Sequence, residues 1–498
     1  MTTTTREDST TAATAEHFDV LIAGAGISGI GSAWHLRHQA PERSFVVLEA
    51  LDGFGGTWIT HRYPGVRSDS DLYTFGYRFK PWVGEPIASA AKILGYLREV
   101  IEESDLARHI RYRHRIEKAD WSDAERRWTV QGRCDGRPFT VTASFLWMCQ
   151  GYYRHARGHT PQWAGMDAFE GRLVHPQTWP DDLELAGRQV VVIGSGATAA
   201  TLVPAIAGQC GHVTLLQRSP TYFWAAPNEN ALADTLRMLK IDEAWIHEIV
   251  RRKMLHDQAE ITRRCITEPE AVKAQLLEGV RAHLPPGFDI ARHFTPAYRP
   301  WQQRLAYLPD GDLFKGICAG SASIETDDID HFIPNGIRLK SGKDLPADVV
   351  ITATGFDLCI DGDIAFSVDG RPVDFADTVT YRGMMFTGIP NLLWVMGYFR
   401  ASWTLRVDLL GDFVTRLLAH MQRKGVDKVQ VALRAQDRDM PLLPWLDPEN
   451  FNPGYMARGM HLLPRRGSKP EWMHNQDYWA ERDEIPAIDL DGEEFRYG

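Results

Sequence analysis

Two strand–turn–helix–strand units about 170 residues apart, with a helical stretch after the second, predict an α/β chain of two like domains plus a helical insertion. The first unit is an apolar run of strand length, FDVLIAGAGISG, that ends in a glycine-rich turn. IGSAWHLRHQ continues with helical spacing, and SFVVLEA is again strand-like. The second unit opens at RQVVVIGSGATA, runs through TLVPAIAGQ and closes at HVTLLQRS.

Each unit reads as the βαβ of a Rossmann-like, dinucleotide-binding domain. In GAGISG, Gly24 permits the tight turn and Gly26 lets backbone approach a pyrophosphate at the helix N-terminus, beside Ser28. Gly29 lets helix and strand pack closely. Alone such a turn is a weak signal. Here it follows a strand, precedes a helix, and is answered by Glu49 at the end of the next strand. A carboxylate there binds a ribose 2′-hydroxyl and repels a 2′-phosphate, which suits the adenosine of FAD or NAD.

The second turn, Gly194-Ser195-Gly196-Ala197-Thr198-Ala199, repeats the device with alanine as its third member. Its second strand ends in Gln217 and Arg218, where a guanidinium can pair with a 2′-phosphate and no carboxylate favours a plain ribose. The contrast assigns FAD to the first site and NADPH to the second. A surface arginine at a strand end is the plainer reading of Arg218.

The pattern resembles flavoproteins in which the nicotinamide domain is inserted into the FAD domain. Residues 17–155 and 345–498 are expected to form the FAD-binding domain and 156–344 the NADPH-binding domain. FTVTASFLWMCQG and ADVVITATGF are expected to be the strands that cross between them. Residues 230–290 read as a mostly helical insertion, either a cap with a solvated basic face or a substrate lid. The polar, Thr-rich residues 1–16 have neither the apolar core of a secretory signal nor the Arg-rich pattern of a transit peptide. They read as a disordered tail.

A formal charge of −10 disfavours nucleic acid and anionic membranes as partners. No apolar stretch approaches the roughly 20 residues of a membrane span. The six cysteines include no CxxC, so neither a disulfide framework nor a metal centre is expected, and a reducing cytoplasm is. The same absence removes the redox disulfide of many two-dinucleotide flavoproteins. Electrons passed from NADPH to flavin then have dioxygen as their simplest exit, as in a monooxygenase or an oxidase.

Two longer motifs narrow this. FEGRLVHPQTWP matches F-x-G-x-x-x-H-x-x-x-W-P through Phe169, Gly171, His175, Trp179 and Pro180. GGTWITHRYPGVRSD carries Gly56, Trp58, Tyr63, Pro64, Gly65 and Asp69. Both resemble signatures of the type I Baeyer–Villiger monooxygenases. VVVIGSGATAATLVPA, LLQRSPTY, GDLFKG and ITATGF are similar to the actinobacterial branch that includes the ethionamide-activating monooxygenase.

The resemblance implies a flavin peroxide anion that attacks a ketone to give an ester or lactone, stabilised by an active-site arginine. Arg304, in HFTPAYRPWQQRL, aligns with that arginine, and Asp69 with the carboxylate that orients it. It further implies Thr57, Trp58 and Asp69 along the flavin, Arg67 and Ser68 toward the nicotinamide cofactor, and Ile116 as a further cofactor-binding residue. His175 takes a conformational role in a linker, not a catalytic one. Gln303 stands where several relatives have a phosphate-binding lysine, which leaves more of the NADPH preference to Arg218. The acceptor stays open between a ketone and a soft sulfur or nitrogen. An uncoupled oxidase or a non-catalytic flavoprotein are the remaining alternatives, and oligomeric state is not readable.

Overall fold

Residues 15–498 are described by the computed structural model of the chain. The tail expected at the N-terminus lies outside them as far as residue 14, and Glu16 already opens the first strand.

Two sheets organise the fold. The larger has nine strands, with Glu16–Ala23 between Phe45–Leu48 and Arg137–Met148, both parallel to it. An antiparallel ribbon, His114–Ser122 and Arg127–Cys134, extends the Arg137–Met148 side. Central strands of a parallel sheet are covered on both faces, hence the unbroken apolar run. Alternate side chains serve different cores: Val20 and Ile22 pack with Val407 and Leu410, while Leu21 and Ala23 pack with Trp121 and Trp394.

The second sheet has five parallel strands in the order Ala322–Thr326, His212–Gln217, Gln189–Ile193, Val349–Thr352, Arg172–Val174. Val190 and Val192 face Leu202 and Val203 of the helix Ala197–Ile206, whereas Val191 and Ile193 face Phe332 and Ile337 of a small antiparallel sheet.

Placing Val349–Thr352 in this sheet corrects the expected boundary at 344/345. Val350 pairs with Val191 and with Leu173, so the second domain keeps the chain until about Gly355. The strands that actually link the domains are Tyr153–Gly158 and Phe356–Leu358, paired antiparallel just after Gly151 and Gly355. Both glycines have positive φ, 86° and 96°, where the chain turns out of each sheet.

The insertion is helical as expected: Ala231–Met238, Glu243–Thr267 and Pro269–His283, the first two capped by Asn230 and Asp242. It is more than a solvated cap. Ile246 and Val250 are buried in the first domain's core, and the outer face mixes Lys240 and Arg252 with exposed Met238, Leu239 and Trp245. No described helix is long and apolar enough to cross a membrane.

Candidate functional site

One cavity of about 960 Å³ runs between the two glycine-rich turns, and both domains line it. On the first side, Gly24 turns with φ 100°, and the helix Ile27–Gln39 opens at Gly26 with no side-chain cap. Its first N–H groups are therefore left for a ligand. A methyl on Gly29 would lie 1.9 Å from the Gly24 carbonyl oxygen, so the third glycine is a packing requirement and stands behind the cavity wall. Glu49 lines the cavity with its carboxylate fixed, accepting from Ala25 N at 2.7 Å and Leu51 N at 2.8 Å. Each oxygen keeps a lone pair for a hydroxyl. Gly56, with φ 55°, brings Thr57 and Trp58 to the same wall, and Thr57 Oγ1 is 2.6 Å from the Tyr153 hydroxyl. Ser28 and Ile116 also line it.

The second turn has the same build. Gly194 has φ 128°, and a Cβ there would meet the Ala353 carbonyl oxygen at 2.3 Å. Gly196 caps Ala197–Ile206 with no side-chain bond. Ser195, Ala197 and Thr198 line the cavity, while Ala199 is buried behind it. Of the two residues expected for a 2′-phosphate, only Arg218 reaches the cavity. Gln217 is turned inward, donating to His293 O at 2.7 Å and Thr326 Oγ1 at 2.9 Å. The strand's alternation decides this, since adjacent side chains face opposite ways.

Arg304 and Asp69 come together across the domain boundary: Arg304 Nη2 donates to Asp69 Oδ1 at 2.7 Å, and Nε lies 2.6 Å from Oδ2. Burial pulls the guanidinium's proton affinity down, but the Asp69 charge and hydrogen bonds more than offset it and raise the pKa above the usual arginine value. Arg67 lines the cavity and donates to Asp312 of the second domain at 2.6 Å. Ser68 does not reach the cavity. It is buried, with its Oγ accepting from Ala88 N at 3.2 Å.

The F-x-G-x-x-x-H motif lies off the cavity. Phe169 packs edge-on to Phe332, Gly171 sits against the Asp348 carbonyl, and Trp179 rests on the second domain's core. Pro180 ends the motif, its carbonyl accepting from Leu183 N. His175 braces the linkers: its Nδ1 accepts from Gln177 N at 3.1 Å, so Nε2 donates to Gly355 O at 3.2 Å. Burial holds its pKa below the usual histidine value. A deeper neighbour on the cavity wall, His61, is pushed down to about 4, again by burial.

Comparison with known proteins now decides the family. Residues 86–255 match the flavin-binding monooxygenase-like family model, and residues 22–81 an NAD(P)-binding Rossmann-like domain. The chain is 43% identical over 485 residues, 97% of its length, to the FAD-containing monooxygenase EthA of Mycobacterium tuberculosis, and covers 98% of that protein. It is 42% identical over 470 residues to the probable FAD-binding monooxygenase AlmA of an Acinetobacter species, covering 94% of this chain and 93% of that one. The chain belongs to the FAD-containing monooxygenases.

Among solved structures, this monooxygenase resembles an oxidised steroid monooxygenase bound to NADP, with TM-score 0.76 and 22% identity, covering 97% and 99% of the two chains. It also resembles a cyclohexanone monooxygenase from Rhodococcus sp. Phi1 bound to NADP⁺, with TM-score 0.73 and 19% identity, covering 97% and 99%. The shared fold is that of the type I Baeyer–Villiger monooxygenases.

The residues present fit two dinucleotides, since a cradle that Cβ atoms would fill lies at each turn. Gly26 and Gly56 face each other so closely that a methyl on Gly56 would come 3.1 Å from Gly26 Cα. Sequence reasoning missed the aromatic wall beside Arg304. Tyr152 stacks on Trp403 at 5.3 Å and lies 6.2 Å from Tyr455, while the Trp403 indole donates to Ser28 Oγ at 2.8 Å. No motif marks these residues. The only hint was the GYY that follows the strand Arg137–Met148, because Trp403 and Tyr455 come from distant parts of the chain. No residue of the 230–290 insertion lines this cavity, so the expectation of a lid does not hold for it. Cys359, Asp361 and Asp363 come close enough to hold an ion, but Arg154 pairs with Asp363 at 2.6 Å and the thiol donates to Asp361 at 3.2 Å.

Proposed function

We propose that this monooxygenase uses FAD and NADPH to insert one oxygen atom of dioxygen beside a ketone carbonyl, giving an ester or lactone. The observation that carries the reading is the Arg304–Asp69 pair, placed in the cavity that both glycine turns share. Glu49 and the Gly26 helix end would hold FAD, with Thr57, Trp58 and Ile116 along it. Arg218 and the Gly196 helix end would hold NADPH, with Arg67 nearby. Bound FAD, reduced by NADPH, supplies the activation of dioxygen.

The chain's own part is electrostatic. Attack on a carbonyl builds negative charge on oxygen, and a fixed cation in a dry site stabilises it far more than it would in water. Arg304 fits because it stays charged at any working pH, and Asp69 holds its plane through two nitrogens at once. Tyr152 and Tyr455, whose phenols burial raises above their usual pKa, stay protonated beside it. They offer hydroxyl donors and exclude water. His175 works as a linker brace that no proton needs to visit.

The test is a panel of aryl, cyclic and long-chain ketones plus a thioether, given to the holoenzyme with NADPH and scored for product across pH. Ester or lactone from a ketone supports the reading. Sulfoxide without ester moves the assignment to sulfur oxygenation, and NADPH use that yields only hydrogen peroxide makes the protein an oxidase.

A further inference from the structure

The segment that carries Asp69 is held at its far end by the helical insertion. Asp71 caps the single turn Leu72–Phe75, accepting from Tyr73 N at 2.8 Å. The carbonyls at the end of that turn converge on one guanidinium. Arg251 Nη1 donates to Tyr73 O at 3.0 Å, Thr74 O at 3.1 Å and Gly76 O at 2.9 Å. A cation there completes the unpaired carbonyls of a helix end.

Arg251 lies on the inserted helix Glu243–Thr267 and is only 6% exposed. Its Nη2 is 3.7 Å from Asp408 Oδ2, and Asp408 also accepts from Arg78 N at 3.1 Å. Thr404 Oγ1, one turn before Asp408, donates to Phe75 O at 2.7 Å. A buried charge is a poor device for stability alone, since an apolar residue of similar size often serves as well. What the guanidinium adds is direction. It fixes three carbonyls of one short segment relative to the inserted helix and Asp408.

Arg304 from the second domain and Arg251 from the inserted helix thus grip the same stretch of the first domain, at Asp69 and at residues 73–76. We infer that Arg251 is a positioning residue for oxygen transfer, holding the Asp69 segment in register so that Asp69 can orient the Arg304 guanidinium. This rests on the role proposed above for the Arg304–Asp69 pair.

The test uses holoenzyme with Arg251→Met, Arg251→Lys, Asp69→Ala and the Arg251→Met/Asp69→Ala double variant. Amide hydrogen exchange across residues 67–78 should quicken about tenfold in Arg251→Met, with the first sheet unchanged. Product formed per NADPH should fall about fivefold while flavin reduction stays within about twofold, because a small misplacement costs chemistry more than binding. Arg251→Lys keeps the charge but reaches fewer carbonyls, so it should recover part of both losses, and it serves if the methionine variant does not fold. The double variant should be no worse than Asp69→Ala, because both changes disable the same device. Faster exchange with unchanged product per NADPH overturns the inference, as do losses that multiply in the double variant. If Asp69→Ala itself leaves product per NADPH unchanged, the role of the Arg304–Asp69 pair fails first and that of Arg251 falls with it.

Discussion

Arg304 meets Asp69 with two nitrogens on two oxygens, at 2.7 and 2.6 Å, joining residues 235 positions apart in the chain. A two-point clamp fixes the plane of the guanidinium as well as its distance. Arg304→Ala should therefore leave NADPH-driven flavin reduction largely intact while ester formation drops about 10²–10³-fold. Arg304→Lys should also lose most of it, since an ammonium cannot span both carboxylate oxygens. Stopped-flow reduction read beside product yield checks this, and a normal ester yield from either variant would refute the role.

Arg218 is exposed to the cavity at the end of His212–Gln217, with no carboxylate paired to it among the described residues. Arg218→Ala should raise the KM for NADPH about tenfold or more, the loss of a charge-assisted bond, and leave NADH nearly unaffected. Steady-state kinetics with both cofactors would decide it. Equal losses would return Arg218 to an ordinary surface arginine.

Gly29→Ala forces a methyl to within 1.9 Å of the Gly24 carbonyl, which is backbone and cannot yield cheaply. The variant should be destabilised by about 1–3 kcal/mol or more and should purify with less FAD. Gly95→Ala, in the helix Ala90–Glu103 with nothing within 4 Å of the new methyl, should instead gain about 0.5–1 kcal/mol. Thermal melts and the flavin-to-protein absorbance ratio separate the two.

These glycines also show why so much was legible in the sequence. A turn that needs positive φ and a strand–helix contact that admits no Cβ leave only one residue type, so Gly24, Gly29 and Gly194 announce their geometry locally. Arg304 and Asp69 became visible as a pair only through the longer motifs. Nothing in the spacing of two residues so far apart indicates an ion pair. Residue orientation was the weak point: Gln217 at a strand end and Ser68 in a loop have suitable chemistry and face inward, since burial is set by the neighbours they meet after folding. The Val349–Thr352 strand was misassigned for a related reason. An apolar run says that a strand is buried but not in which of two parallel sheets. Arg251 was unreadable, because its partners are backbone carbonyls.

Asp71 offers a pH test with a definite sign. Burial, only partly offset by the Tyr73 N–H, raises its pKa to about 7. In the unfolded chain a carboxyl titrates near about 3.9, so between those values the folded state binds more protons and stability falls as pH rises. Asp71→Asn keeps an oxygen to cap the turn but has no charge to bury. The variant should melt higher than wild type at pH 8, and the advantage should shrink as pH falls and vanish only below about pH 4, where the unfolded carboxyl is protonated too. An equal difference at pH 8 and pH 5 would show that the carboxyl is ionised in the fold throughout.

His175 and Gly158 yield the last prediction. A methyl on Gly158 would fall 1.8 Å from His175 Cε1, so the ring lies directly on the linker strand Tyr153–Gly158 while its Nε2–H holds Gly355 of the other linker. Gly158→Ala must displace the ring, at a cost of about 1–3 kcal/mol from overpacking. In a His175→Ala background that collision is gone, and the same change should cost less than about 0.5 kcal/mol. The cycle should therefore return a coupling of about 1–3 kcal/mol. Each single variant should slow turnover while product per NADPH stays near wild type, since the brace governs how the domains move and not the chemistry at Arg304. The pH–rate profile should keep its shape in His175→Ala, because both ring nitrogens are already engaged and burial keeps the ring neutral. Loss of one limb of that profile would make His175 a proton carrier and overturn the linker role.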